Sequence, residues 1–215
     1  MIHSRLLRAA IFTLVMALGF LAAPSLLAEE VPNEYELKPV MLFNLARFVE
    51  WPAKAFAETN SPIVIGVLGH NPFGDALERA VRGEKVNGRS LVIEHYDNVR
   101  ALDACHVLFI CSSEKPKLAQ VLSKLKGQPI LTVSEIDGFS KLPGGMVRFY
   151  VNDQKKIRLR LNLQSARTEG LGVSSKLIQV AELDAASLLW PPVLRMGGLE
   201  MASSSAPSPF PPLAR

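Results

Sequence analysis

Apolar positions along this chain follow two rhythms. From Glu34 to Phe48, Leu37, Val40, Met41, Leu45 and Phe48 recur at steps of three and four, which predicts a helix with one apolar stripe. Trp51-Pro52 ends it, because the residue before a proline avoids the helical region. Ile63 to Leu68 is a continuous apolar run, the pattern of a strand buried on both faces. Gly69 to Gly74 reads as a turn, Asp75 to Val81 as a short helix with Ala76, Leu77 and Ala80 inward, and Gly83 to Gly88 as a polar loop. Ser90–His95, Val107–Cys111 and Ile130–Val133 read as further strands. Between the last two, Lys115–Lys126 is a basic amphipathic helix with Leu118, Val121, Leu122 and Leu125 inward. Strands alternating with short helices predict an α/β fold with a mostly parallel sheet flanked by helices.

After Gly144-Gly145 the rhythm becomes strict alternation. Met146–Val151 and Ile157–Leu163 flank the polar turn Asn152–Lys156, which predicts a C-terminal antiparallel hairpin with one wet face. On this reading Ile157, Leu159, Leu161 and Leu163 face inward. Arg148 and Tyr150 share one face by the two-residue period, and Arg158 with Arg160 share another. Ser174-Ser175 caps a helix running to about Leu183. The Pro- and Ser-rich stretch 186–215 is expected to be a flexible tail.

The chain has 215 residues, 48% of them apolar and 20% charged, which suits one domain, here 29–185, and excludes a multi-span membrane protein or a disordered chain. Residues 1–28 carry Arg5 and Arg8, then an apolar run from Ala9 to Ala23, then Ala28 ahead of Glu29-Glu30. This is the layout of a secretory signal, so the protein is expected in the periplasm, cut after Ala28. Loss of the two arginines leaves 22 basic against 20 acidic residues. With a near-neutral balance and no basic block, a nucleic-acid partner is not expected.

Candidate chemistry is thin. His70, His95 and His106 stand in no metal-ligand spacing, no nucleophile elbow occurs, and Asp103, Glu114, Glu135 and Asp137 fall at loop or strand ends, so no catalytic or metal set and no cofactor is expected. The strand-to-helix turn of Gly69, His70, Asn71 and Gly74 could offer backbone amides to an anion or small ligand, although it lacks the phosphate-loop signatures. Cys105 and Cys111 bracket a strand, which would hold their α-carbons about 20 Å apart at ~3.3 Å per residue, too far for a disulfide. Asn44 and Asn162 interrupt apolar segments as buried hydrogen-bonding residues would.

Several stretches occur in the order found in one family. They are Met41 to Pro52, Ile65 to Gly69 with Pro72-Phe73-Gly74, Gly88-Arg89, Cys105 to Ile110, Ile130 to Val133, Gly138-Phe139 with Gly144-Gly145-Met146, Asn162, and Ser174 to Leu177. Across Leu37 to Leu183 the chain resembles the YfiR family of periplasmic regulatory proteins. The resemblance implies a non-enzymatic repressor that binds the periplasmic part of an inner-membrane diguanylate cyclase, tuning cyclic-di-GMP and biofilm formation. It also implies an outer-membrane lipoprotein as a second partner and leaves a homodimer open. Cys105 matches a family cysteine whose distant partner this chain lacks, so an internal redox switch is not expected. The alternative is a periplasmic small-ligand sensor feeding another membrane client such as a sensor kinase. Aromatics and arginines dominate the centres of partner surfaces, which singles out Arg47 and Trp51 at the first helix exit and Arg148, Tyr150, Arg158 and Arg160 on the hairpin.

Overall fold

Helix α1 (Glu34–Phe48) forms with the expected bounds, but its buried stripe is turned away from the expected one. Lys38, Pro39, Leu42, Phe43, Leu45 and Ala46 face the interior, whereas Leu37 and Val40 are 42% and 46% exposed. The reason is a polar anchor. Lys38 pairs with Glu135, just past the carboxyl end of the central strand Leu131–Ser134, and this turns the first helical turn inward on a charge rather than on Leu37. The computed structural model describes residues 34–102 and 104–184, all within one unit. The expected signal segment, the tail and Asp103 lie outside the described residues.

After α1 come β1 (Val49–Glu50), β2 (Ile63–Leu68), α2 (Ala76–Val81), β3 (Lys85–Val86), β4 (Arg89–Tyr96), β5 (Val107–Ile110), α3 (Leu118–Leu125) and β6 (Leu131–Ser134). The chain continues with β7 (Val147–Val151), β8 (Ile157–Leu161), α4 (Leu163–Thr168), β9 (Gly172–Val173), α5 (Ser175–Val180) and β10 (Glu182–Leu183). Eight strands form one sheet in the order β10-β8-β7-β6-β5-β2-β4-β3, and β1 pairs β9 in a separate two-stranded ladder. Strands β4, β2, β5, β6 and β7 run parallel, and β8 returns antiparallel to β7. The fold is therefore α/β with a mostly parallel sheet and a C-terminal hairpin, as the alternation predicts.

Two dry layers hold the sheet. On one face Ile65, Val67, Phe109, Val133, Phe149 and Leu161 pack against Leu42, Leu45, Ala46, Leu77 and Ala166. On the other, Leu68, Leu108 and Ile110 lie beneath Leu118, Val121, Leu122 and Leu125 of α3 and beneath Phe139. Gly66 sits in this second layer because a side chain there would strike the ring of Tyr96 at 2.7 Å and the Cys105 sulfur at 2.9 Å.

Four further expectations are corrected. The 83–88 loop is part of a hairpin, β3 to β4, turning on Asn87 and Gly88 with φ of 51° and 81°. Asn-Gly is the pair that such a tight turn demands. The basic helix begins only at Leu118, because Pro116 holds Ser112–Lys117 in a 3-10 turn. Leu163 belongs to α4 rather than to the hairpin, since the Asn162 side chain accepts the Ser165 N–H and starts a helix there. The last helix stops at Val180, and Glu182–Leu183 becomes an edge strand parallel to β8.

Candidate functional site

The hairpin register decides the geometry of the main candidate surface. Arg148 stands opposite Arg160, and Tyr150 opposite Arg158. Directly opposed residues in an antiparallel pair project to the same side. All four therefore share one face, which corrects the expectation of two. Parallel β10 adds Glu182 beside Arg160 on that face. The inward alternates, Val147, Phe149 and Leu161, are at most 1% exposed.

This face is tied together by charge. The Arg148 guanidinium lies 5.6 Å from the Tyr150 ring centre and that of Arg160 5.0 Å from it. The Tyr150 hydroxyl donates to Glu182, and Arg160 pairs the other oxygen of Glu182 at 3.0 Å. The hydrogen bond from Tyr150, with that from Arg160, holds the Glu182 carboxyl below the usual range. Burial and the same bond raise the Tyr150 hydroxyl. Arg148 pairs Asp137 at 2.8 Å, while its Nε is buried with no hydrogen-bond partner. Arg158 is exposed, with no ion pair to any described residue. The result is an aromatic ring with two guanidiniums close to it plus one free arginine, an arrangement that can take carboxylates and apolar edges together.

The exit of α1 divides differently. Arg47 is exposed, its guanidinium 5.8 Å from the Phe43 ring centre. It borders a polar hollow of about 410 Å³ shared with Lys85, Asn87, Ser174 and Lys176. Trp51 is half-buried and donates its indole N–H to the His106 carbonyl at 3.2 Å, so it is built into the wall. The His106 ring lies at right angles to it, stacked 4.5 Å from Phe56. His106 Nδ1 accepts the Val64 N–H at 3.1 Å, which leaves Nε2 to donate to the Ala55 carbonyl. Burial lowers its pKa and keeps the ring neutral, and the nearby Arg89 charge works in the same direction. Arg89 itself stacks 3.7 Å from the Phe56 ring centre and donates to Ser61 and Glu58 carbonyls.

The Gly69–Gly74 turn lies at the carboxyl end of β2, where strand order reverses between β2 and β5 and open α/β sheets place ligands. Here the crevice is filled. The His70 N–H donates to Ser113 Oγ at 3.0 Å, and the Asn71 side chain bonds the Phe73 N–H and the Gly74 carbonyl. Gly69 has φ of +92°, and a Cβ on it would sit 2.4 Å from Ser113 Oγ.

Beside this plug is a charged cluster that no motif announced. Lys38, 3% exposed, pairs Glu135 at 2.6 Å and Glu34 at 2.9 Å, and Ser112 donates to Glu135 at 3.0 Å. Burial works to lower the Lys38 pKa, but the bonds and charges of the two glutamates outweigh it and the net shift is upward. Cys105 and Cys111 are both free and buried, and burial pushes each thiol up to about 12. Among the described residues no group of His, Cys, Asp and Glu could hold a metal. Asn162, 5% exposed, donates to the Ser140 carbonyl at 2.8 Å, the buried role its position implied, whereas Asn44 is half-buried.

A family model described as YfiR/HmsC-like matches residues 35–182, well over half the chain and nearly all of the described sheet and helices. That family is regulatory rather than catalytic. The matched span starts in α1 and ends in β10, so it takes in the plugged crevice, the Lys38 cluster and the Arg–Tyr–Arg face alike, and by this match the chain belongs to the YfiR/HmsC-like family.

Proposed function

We propose that this protein is a periplasmic, non-enzymatic regulator that binds the periplasmic part of an inner-membrane diguanylate cyclase and represses it, lowering cyclic-di-GMP and attachment. The observation that carries this reading is membership of the YfiR/HmsC-like family across residues 35–182. The signal layout of residues 1–28 supports export. We assign the client surface to the face of β7, β8 and β10 that carries Arg148, Tyr150, Arg158 and Arg160. Its arginines and aromatic ring are the residue types that anchor interfaces, and they call for an acidic segment on the client. Arg47 lies on the α1 side of the sheet, beside Lys85 and Asn87, and is a separate candidate contact, whereas Trp51 supports the wall behind it. An outer-membrane lipoprotein that sequesters the regulator would release the cyclase, and a second copy competing for the same face would do likewise.

The test is genetic and biochemical. Deleting the gene should raise cyclic-di-GMP and attachment when the neighbouring cyclase is expressed, and unchanged levels would defeat the proposal. Reversing both Arg158 and Arg160 to glutamate should weaken client capture while the protein remains folded. Normal capture by that variant would move the interface off this face.

A further inference from the structure

A cavity of about 560 Å³ opens between α3, the 142–146 loop and α4, away from both the hairpin face and the strand carboxyl ends. That volume lies within the ~300–1,000 Å³ common for small-molecule pockets. We propose that it binds a free monocarboxylate with a medium-length apolar chain, the chain inside the cavity and the carboxylate at Lys126.

The walls require an apolar body. Leu122 and Leu125 of α3, Ile130 and Met146 at the sheet, and Leu142 with Pro143 on the loop line it. Several polar groups among them are already engaged. Thr132 Oγ1 donates to the Gly144 carbonyl at 2.6 Å and accepts the Met146 N–H at 3.1 Å. Thr168 Oγ1 donates to the Gln164 carbonyl, and the Gln128 amide to the Lys124 carbonyl. A polar ligand body would therefore lose water and meet few free partners, the Ser123 and Ser165 hydroxyls among them. Leu142, 37% exposed, leaves apolar surface at the mouth that a chain would cover.

The mouth selects the head group. Lys126 lines the cavity and makes no ion pair or hydrogen bond with any described residue. Glu169, the acid on the same rim, already accepts the Gly127 N–H at 2.6 Å. Lys126 is thus the one charged side chain of the lining that no described group engages. That balance favours an anion over a neutral or cationic head.

Titration calorimetry of the full chain with decanoate and with 1-decanol tests this, and it involves neither cyclase nor cells, so its failure would leave the proposed client untouched. Decanoate should bind saturably at one site, and more tightly than the alcohol. Lys126→Glu should weaken decanoate by roughly threefold to tenfold and leave decanol unchanged. Ala119→Trp, placed at an exposed position on α3, should fill the cavity and abolish binding of both, and Thr168→Trp should do the same from α4. No saturable binding, decanoate binding that survives both tryptophans, or equal loss of decanol in Lys126→Glu would overturn the proposal. So would Lys126-dependent sedimentation with phosphatidylglycerol vesicles, which would assign this face to a membrane surface.

Discussion

Between β6 and β7 the same face of one sheet passes from dry to wet. Beneath α3, Leu108 and Ile110 are 0% exposed, and the polar side chains of β6 turn to backbone partners, as Ser134 does to the Ile110 carbonyl at 2.7 Å. On the neighbouring strands the equivalent positions hold Arg148, Tyr150, Arg158 and Arg160: Arg148 pairs Asp137, Tyr150 and Arg160 meet Glu182, and Arg158 is exposed. The pleat and the twist are shared, so the difference comes from where helices lie. A covered face must be apolar or internally bonded, because an unpaired polar group there costs about 1–3 kcal/mol. An open face can carry charge at little cost and is therefore available for a partner.

The sharpest way to break this comparison is a pair of truncations on the two halves. Leu108→Ala should cost about 2–5 kcal/mol by leaving a cavity under α3, whereas Arg158→Ala should stay within about 0.5 kcal/mol. Urea unfolding of both variants measures the contrast, and similar losses would mean the open half is structural. The next effect belongs to the charged anchor. Lys38→Ala leaves Glu34 and Glu135 facing each other without their cation, and should cost about 2 kcal/mol, less than a fully buried pair because Glu34 is 38% exposed. Unfolding midpoints read this, and Glu135→Gln should recover part of the loss in the Lys38→Ala background.

A smaller effect concerns pH. The His106 pKa is held below 6.5 by burial, so the folded protein prefers the neutral ring while the unfolded chain takes up a proton first. The stability that His106 contributes is complete above pH about 6.5 and is lost as pH falls through its folded pKa. Thermal unfolding from pH 7.5 down to 5 should show this decline, and His106→Gln should flatten it. A decline of equal steepness in that variant would place the titration elsewhere. The smallest effect is kinetic and leaves stability alone. With both thiols buried and raised to about 12, neither Cys105 nor Cys111 should react with a disulfide reagent at neutral pH until the protein unfolds. Rapid labelling of native protein, or a Cys105–Cys111 crosslink on peptide mapping, would contradict the burial described here.

Much of the fold is legible in local pattern. The unbroken run Ile63–Leu68 is a strand with every residue buried, and the inward set Leu118, Val121, Leu122 and Leu125 of α3 is buried as its spacing requires. Two of the misreadings occur where a single polar residue outranks the apolar pattern. Lys38 turned α1 away from Leu37 and Val40, and Asn162 converted the end of an alternating run into a helix cap. The candidate surface was partly readable, since the arginines and Tyr150 stand out on an alternating segment. Their common face was not readable, because it depends on how β7 is registered against β8, and Glu182 could not be included without knowing that β10 lies beside β8.

Sequence alone determined the long strands β2, β4, β5, β7 and β8, the amphipathic face of α3, and that the two cysteines bracket a strand and stay apart. Those properties follow from the two-residue and 3.6-residue periods, which act over a few neighbours. Only tertiary structure decided that Ser113 plugs the crevice at Gly69, that Lys38 meets Glu135 across 97 positions, and that α3, the 142–146 loop and α4 leave a cavity between them. These features arise from contacts between segments far apart in the chain. Strand order and helix placement set such contacts, and no local period encodes them.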